Sequence, residues 1–417
     1  VIKSIPIRIY PNKTQLKIID DTLAACNFVK NKFLEYNLKN RDKGEKFTDG
    51  YDFINYVTKL KKEDGNKYSW LRGIYSKAIQ EAIMCKEKAY LDFFNHDKGL
   101  PKFKSRKRMN KESYYFNNQQ HTYYFTKNSV VLPKLKRIRI TNGDSLPDEN
   151  SIISGRIVRH YDKYYVKFIY DDEYNDNKDI IKRNIKLGID LGIKEYAIIY
   201  DGYNYHHFKH FKELATYKRY YDRIKKLQKV VSKKAEYNYG KLLNEYFNEY
   251  HNEPSEKEKN KLKGEAYNSS NIRRIFKKIN KIKVKLTNIK DDFIKKLVNL
   301  LTAIIKPTKI NIEDLDISSM LENDESHTLH GYIAESCFYK FKVHLINKCK
   351  EYGIKIRLVN TYYPSTQLCS KCGKKNTDIK LEDRTFVCKK CGMSMDRDEN
   401  AATNIYNCKR RYYKENA

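Results

Sequence analysis

Four cysteines near the end of the chain have the spacing of a metal site. Cys369 and Cys372 form one CxxC pair, fifteen residues intervene, and Cys388 and Cys391 form a second. Each pair lets two sulfurs reach one ion at about 2.3 Å, and two pairs complete a tetrahedron. Gly373 and Gly392 each follow the second cysteine of a pair, where a tight turn requires positive φ. Redox pairs or free thiols are the competing reading. The spacing favours one structural zinc ion in a ribbon, which organises the fold and leaves no open position for catalysis.

Three carboxylates occupy places where a carboxylate needs a reason. Asp190 lies inside the apolar strand pattern LGIDLGI, and a buried, unpaired carboxylate is costly. Glu313 closes the run containing Ile310 and Ile312, at the C-terminal end of a predicted strand. Asp398 opens the helical pattern DENAATNIY, where it could cap the first turn. Asp314, Asp316 and Asp396 are local competitors. A turn residue, a solvated strand end and a plain helix cap are the bland alternatives for the three. Taken together, hard oxygen donors from two strands and one helix can converge on Mg²⁺. Two such ions about 3.5–4 Å apart can clamp the attacking and leaving oxygens of a phosphodiester.

The elements that position these residues follow from periodicity. Ile5, Ile7 and Ile9 alternate with polar residues in a first strand, ended by Pro11. Helical spacing of Leu16, Ile19, Leu23, Cys26 and Val29, and later of Ile79, Ile83, Tyr90 and Phe94, marks 13–97 as a helical block. From Tyr114 to Tyr170 the period becomes two, with turn signals at Asn142-Gly143, Ser154-Gly155 and Asp162. These strands and the first one are expected to form a small barrel interrupted by the helices. An acidic and then polar linker at 171–184 follows. Beyond it, IKLGIDLGIKEYAIIYDG reads as two strands, 211–235 and 271–305 as helices, 309–317 as a strand, 331–351 as a helix, 354–360 as a strand and 400–413 as a helix. That order is an α/β pattern. Residues 236–270, with Pro254, are either an extended helical hairpin or a mobile insertion.

Charge then narrows the partner. The 417 residues contain 84 Lys and Arg against 52 Asp and Glu, a net charge of +32. Such a surplus implies a polyanion and makes a free-standing small-molecule enzyme improbable. Aromatics at 13% argue against disorder. The mean hydropathy of −0.81 and the lack of any run of 18 apolar residues argue against a membrane span. The stretch from Val1 is polar and alternating rather than leader-like, so a reducing intracellular compartment is expected. Cys26, Cys85, Cys337 and Cys349, scattered in helical patterns, read as buried thiols. Within 98–111, Lys102, Lys104, Arg106, Lys107 and Arg108 are cations with no acidic residue among them, as in a strap that tracks phosphates. Tyr114, Tyr115, Phe116, Tyr123, Tyr124 and Phe125 are barrel core or, less often in such settings, base-stacking platforms.

The segments GIDLGIK, NIEDLDI, STQLCSKCG, FVCKKCG and DRDENAATNI together resemble the catalytic motifs and zinc ribbon of the TnpB family, transposon-encoded RNA-guided nucleases related to type V CRISPR effectors. WLRGIYSKAIQEAI, LPKFKSRK and SYYF extend the resemblance upstream. It implies an α/β multidomain chain. An N-terminal β-barrel wedge domain (1–12 and 113–185) would be interrupted by a helical recognition domain with its basic connector (13–112). An RNase H-like RuvC nuclease domain (186–417) would carry an inserted zinc ribbon (363–394). It further implies that Asp190, Glu313 and Asp398 are the catalytic triad and hold two Mg²⁺ ions. Asp398 is preferred to Asp396 because the family's aspartate lies two before an asparagine, here Asn400. Arg384, four before Cys388, would support the site. The implied partners are a guide RNA from the transposon end and target DNA, with no obligate protein partner and no membrane. The implied location is the cytoplasm, at the nucleoid when on DNA. A compact type V CRISPR effector or a eukaryotic relative would share this chemistry. A non-cutting nucleic-acid-binding repressor predicts a missing carboxylate, and a transposase would join strands as well as cut them. The long 236–270 segment and the acidic, polar stretch 322–330 depart from the family pattern without removing a ligand.

Overall fold

The structure, a computed structural model, describes residues 2–62, 68–95, 98–106, 111–117, 124–141, 143, 146–172, 183–315, 335–379 and 383–409. Lys107, Arg108, Tyr123, Asp316, the stretch 322–330 and most of the expected linker lie outside the described residues. The chain divides into two compact units, Val1–Lys178 and Asp179–Ala417. Among the described residues no helix is long and apolar enough to cross a membrane.

In the first unit, strand β1 (Ile2–Tyr10) leads into helices α1 (Lys13–Asp42), α2 (Gly50–Lys62) and α3 (Ser76–Phe94). Asn12 starts α1 with a capping box: its side chain accepts from the Gln15 amide at 2.9 Å, and the Gln15 side chain accepts from the Asn12 amide at 3.0 Å. Ile19, Leu23, Cys26, Val29 and Phe33 form the buried stripe of α1. Six further strands follow: β2 (Lys111–Asn117), β3 (Tyr124–Thr126), β4 (Ser129–Leu132), β5 (Lys136–Ile140), β6 (Ile152–His160) and β7 (Lys163–Asp171). They join β1 in one antiparallel sheet of order β2-β6-β7-β1-β5-β4-β3. The sheet curls strongly. Phe116 from edge strand β2 and Phe125 from edge strand β3 both meet Phe168 of β7, with ring centroids 6.1 and 5.1 Å apart. A flat sheet would hold β3 about 19 Å from β7. Tyr114 and Phe116 are buried and Phe125 packs against the same core, so these aromatics are core and not stacking platforms.

The second unit is built on strands β8 (Arg183–Leu191), β9 (Glu195–Tyr200), β10 (Tyr205–Lys209), β11 (Pro307–Glu313) and β12 (Lys355–Val359). Their order is β10-β9-β8-β11-β12. The hairpin strands β8, β9 and β10 pair antiparallel, while β8, β11 and β12 are parallel. Strand β10, with two histidines on an edge, is absent from the periodicity reading. Between β10 and β11 stand helices α4 (Ala215–Tyr250), α5 (Glu256–Ala266) and α6 (Ser270–Asn299). Residues 236–270 are therefore helical on both sides of a turn at Pro254, where Ser255 and Glu258 form a capping box that starts α5. Helix α7 (Phe338–Glu351) is separated from helical residues 335–336 by Cys337, which is in the left-handed conformation at φ 59°. Residues 331–334, the expected start of this helix, lie outside the described residues. Cys26 and Cys349 are buried as expected, Cys337 is half-buried, and Cys85 is exposed, which corrects its reading as a core thiol.

Candidate active site and metal centre

Side-chain alternation gives the central sheet of the second unit two different faces. Leu187, Ile189, Ile310, Ile312, Ile356 and Leu358 join the core with α4, α6 and α7. The opposite face is set by the register Lys309 with Lys186, Asn311 with Gly188, Lys309 with Lys355, Asn311 with Arg357 and Glu313 with Val359. Continued by one pair beyond Ile312–Ile189, that register puts Glu313 abreast of Asp190 at the C-terminal ends of two parallel strands, where open α/β sheets gather their ligands.

Helix α8 (Arg397–Asn407) lies across this face. Gly188 permits the approach: a Cβ there would sit 2.6 Å from the Ala402 carbonyl oxygen and 2.6 Å from the Tyr406 amide. Asn311 fixes the far end of the helix, donating to the carbonyls of Ile405 and Tyr406 at 3.0 Å each. The N-terminal turn of α8 is thereby directed toward the carboxylate end of the strands. Asp396, not Asp398, is the N-cap; its Oδ1 accepts from the amides of Asp398 and Glu399 at 2.8 and 3.1 Å. Capping thus consumes one local competitor and leaves the Asp398 carboxylate for other contacts. Asp314, another competitor, is ion-paired with Lys342 and its amide donates to the Val359 carbonyl.

The electrostatics bring the triad into one neighbourhood. Asp190 is 8% exposed, and its carboxyl is pushed well above the usual range, first by burial and then by the charges of Glu313 and Asp398. Burial raises Glu313 to about 7. Among the described residues neither side chain has a hydrogen-bond or ion-pair partner. Asp398 faces Arg397 at 3.3 Å and Arg384 at 3.6 Å. Two abreast carboxylates with raised proton affinity, offset on Asp190 only in part by the charge of Arg397, are a donor set that fits hard divalent metal ions. His207, missed in the sequence, bridges Glu195 and Glu399 at 2.5 and 3.0 Å and ties β10 to the first turn of α8.

The cysteine cluster is closed. Its four sulfurs lie within 4.8 Å of one another. Cys369 and Cys391 are 3.5 Å apart, and Cys372 and Cys388 are 3.6 Å apart. Four bonds of 2.3 Å in a tetrahedron require about 3.8 Å between sulfurs, so the cluster is consistent with a structural zinc ion. Gly373 and Gly392 have φ of 71° and 67°, and each donates its amide back to the first cysteine of its pair. The amide of Cys391 is the first of several donors that hold the Cys388 thiol down to about 6. Strands β13 (Thr385–Val387) and β14 (Ser394–Asp396) complete the ribbon, and β14 runs directly into α8. Asn400 and Asn404 of α8 donate to the Leu368 carbonyl at 2.7 Å each, and Asn400 accepts from the Ser370 amide. The cluster therefore sets where α8 begins.

In the first unit the backbone of the basic strap is pinned. The Lys104 carbonyl accepts from Asn27 and Asn31 at 3.1 and 3.0 Å, and Lys86 donates to the Lys102 carbonyl at 3.1 Å. The Lys102 and Lys104 side chains stay exposed. Arg106 does not: it pairs with buried Glu112 at 2.9 Å, so an acidic residue just beyond the run balances one of its cations.

Residues 338–405 match the family description "Cas12f1-like, TNB domain", and residues 1–46 match a "Helix-turn-helix domain", although the described backbone there is one strand and one helix. A Streptomyces pristinaespiralis protein provisionally named an RNA-guided DNA endonuclease is 23% identical over 95% of this chain and 87% of its own. TnpB-like protein L770 of Acanthamoeba polyphaga mimivirus is 26% identical over 68% of this chain and 47% of its own. A Cas12f1–sgRNA–target DNA complex aligns with 98% of this chain and 99% of its own at 17% identity, with a TM-score of 0.34.

Proposed function

The chain belongs to the TnpB family and is related to Cas12f, and on that footing we propose that it is a transposon-encoded, RNA-guided DNA endonuclease whose cutting centre is Asp190, Glu313 and Asp398. The observation that carries this reading is the placement of Asp190 and Glu313 abreast on parallel strands, with α8 seated on Gly188 to bring Asp398 to the same end. The strand order β10-β9-β8-β11-β12 supports an RNase H-like, RuvC-type nuclease domain for the second unit, with the zinc ribbon as its insertion. The curled sheet and three helices of the first unit support a wedge barrel interrupted by a recognition domain.

Asp190, Glu313 and Asp398 would hold Mg²⁺, two ions on the two-metal pattern, which when bound supply Lewis-acid charge at the phosphate and acidify a water. The chain's own part is positional. Asp190 and Glu313 sit on rigid neighbouring strands, so their oxygens need little reorganisation to act together. Arg397 and Arg384 contact Asp398 and would orient it, and Arg384, half exposed, would meet a phosphate of the strand being cut. The zinc cluster, through Asn400 and Asn404, fixes the register of α8. Lys102 and Lys104, with Lys107 and Arg108, would contact the guide backbone, while base pairing selects the DNA.

Asp190→Ala tests the assignment. Guided cleavage should be abolished, while guide RNA affinity stays within about twofold, because phosphate contacts hold the RNA and the carboxylates serve the cut. Parental cutting by Asp190→Ala would remove Asp190 from the centre.

A further inference from the structure

The sheet face that carries Asp190 and Glu313 carries a second row of charge at the other end of the same strands. The register puts Lys309 directly abreast of Lys186 on one side and of Lys355 on the other. These three lysines lie four residues before the carboxylate level, about 13 Å along the strands, and span three neighbouring strands, about 10 Å. Arg357 lies on the same face, one level nearer the carboxylates. A register shift between Pro307 and Lys309 brings Lys186 into line with its neighbours.

Folding gives no reason for this row. Like charges directly opposite on neighbouring strands are destabilising. Lys186 and Lys309 are half-buried, and each is pushed below the usual lysine range, first by burial and then by its cationic neighbours, Lys309 and Arg357 for Lys186, Arg357 and Lys355 for Lys309. Among the described residues no carboxylate acts on either, and only the Cys408 thiol works against the shift of Lys186. Lys186 is nevertheless held in place, its ammonium 4.1 Å from the centroid of the Tyr406 ring at the end of α8. A fixed, mutually repelling cation row is the arrangement a polyanion would stabilise.

We propose that Lys186, Lys309 and Lys355 form a phosphodiester-binding row for the backbone of the bound guide RNA. The proposal rests on the RNA-guided reading above. The RNA is favoured over the DNA being cut because α8 crosses the face at Gly188, between this row and the carboxylates. A strand seated at Asp190 and Glu313 cannot run straight along the face to the lysines.

The test compares the Lys186→Gln/Lys309→Gln/Lys355→Gln protein with the parental chain, both stripped of RNA. Melting temperature should be unchanged or higher, since repulsion is relieved. Affinity for the co-purifying RNA, re-added across a salt series, should fall about tenfold or more at moderate salt. The slope of log affinity against log salt should become shallower by about 2, three contacts at about 0.7 each. A triple Lys→Arg protein should bind like the parent. Binding of matched duplex DNA by RNA-saturated protein should not change. The proposal is overturned if the triple Gln protein binds RNA with parental affinity and slope, if it melts well below the parent, or if only its DNA affinity falls. Failure of the RNA-guided reading itself would show in the parental protein, as cutting without RNA, before any lysine is changed.

Discussion

Gly188→Ala asks whether the seating of α8 places the third carboxylate. A Cβ at 188 would meet the Ala402 carbonyl oxygen, the Tyr406 amide nitrogen and the Tyr406 Cβ, each at 2.6 Å, where ordinary contact begins at 3.4 Å. The deficit is 0.8 Å on three atoms, two of them helix backbone, so rotamer change cannot relieve it. The helix must withdraw by about 1 Å or the strand must bend. Overpacking of this kind costs about 1–3 kcal/mol of stability. Withdrawal also carries Asp398 away from Asp190 and Glu313, and a misplacement of about 1 Å can lower a rate about 100-fold. The assay is single-turnover cleavage of matched DNA in Mg²⁺ with RNA saturating, beside a melting curve and zinc content. The expected result is about 100-fold slower cutting with parental RNA affinity and one zinc per chain. Parental cutting rate and parental stability together would refute the packing argument.

The remaining expectations concern protons, the zinc cluster and the cap. Glu313 is raised to about 7 and Asp190 is raised in the same direction, so in the metal-free protein both hold protons more tightly folded than unfolded. Their contribution to stability is therefore full below the unfolded carboxylate range, about pH 4; that of Glu313 is lost as pH rises through about 7, and that of Asp190 as pH rises through its own raised range. Mg²⁺ must displace those protons, so its affinity, read by calorimetry in two buffers, should strengthen about tenfold from pH 6 to pH 8 with proton release; pH-independent binding would contradict this. Cys372→Ser should lose the zinc, on the order of 10 kcal/mol of local folding free energy, and should slow cutting by loosening the start of α8. Elemental analysis that finds no zinc in native protein would sink that expectation. Asp396→Ala should lower stability by about 1 kcal/mol through loss of the cap, with cutting reduced far less than by Asp398→Ala; the reverse order would exchange their roles.

Much of the site could be read from residue type and spacing, because metal ligands and strand ends carry strong local patterns. The two CxxC pairs close as their spacing implies, and the strands bearing Asp190 and Glu313 lie where alternation puts them. Other features depended on contacts that a single segment does not encode. DRDEN offers two aspartates two positions apart, and only the cap geometry shows Asp396 bound to the helix amides. Arg106 looked unbalanced because its partner, Glu112, lies on the following strand and is buried. Asn400 stands in the sequence only as a marker for Asp398 and Asn404 as an ordinary helix position, yet both bond the ribbon to α8. The lysine row was visible as Lys-x-Gly-x-Asp, Lys-x-Asn-x-Glu and Lys-x-Arg-x-Val in three strand segments, but only strand register shows that the three lysines are abreast. Strand β10 escaped because an edge strand with adjacent histidines buries too little to show a period.

The most direct test of an RNA-guided endonuclease is cleavage by one preparation in three states: with its co-purifying RNA, stripped of RNA, and stripped then reloaded with RNA whose guide segment has been exchanged. With Mg²⁺ present, the account predicts cutting only of DNA matched to the RNA on board, no cutting after stripping, and a change of target that follows the exchanged segment. Efficient, sequence-specific cutting by the stripped protein, or a target that does not move with the guide, would contradict it.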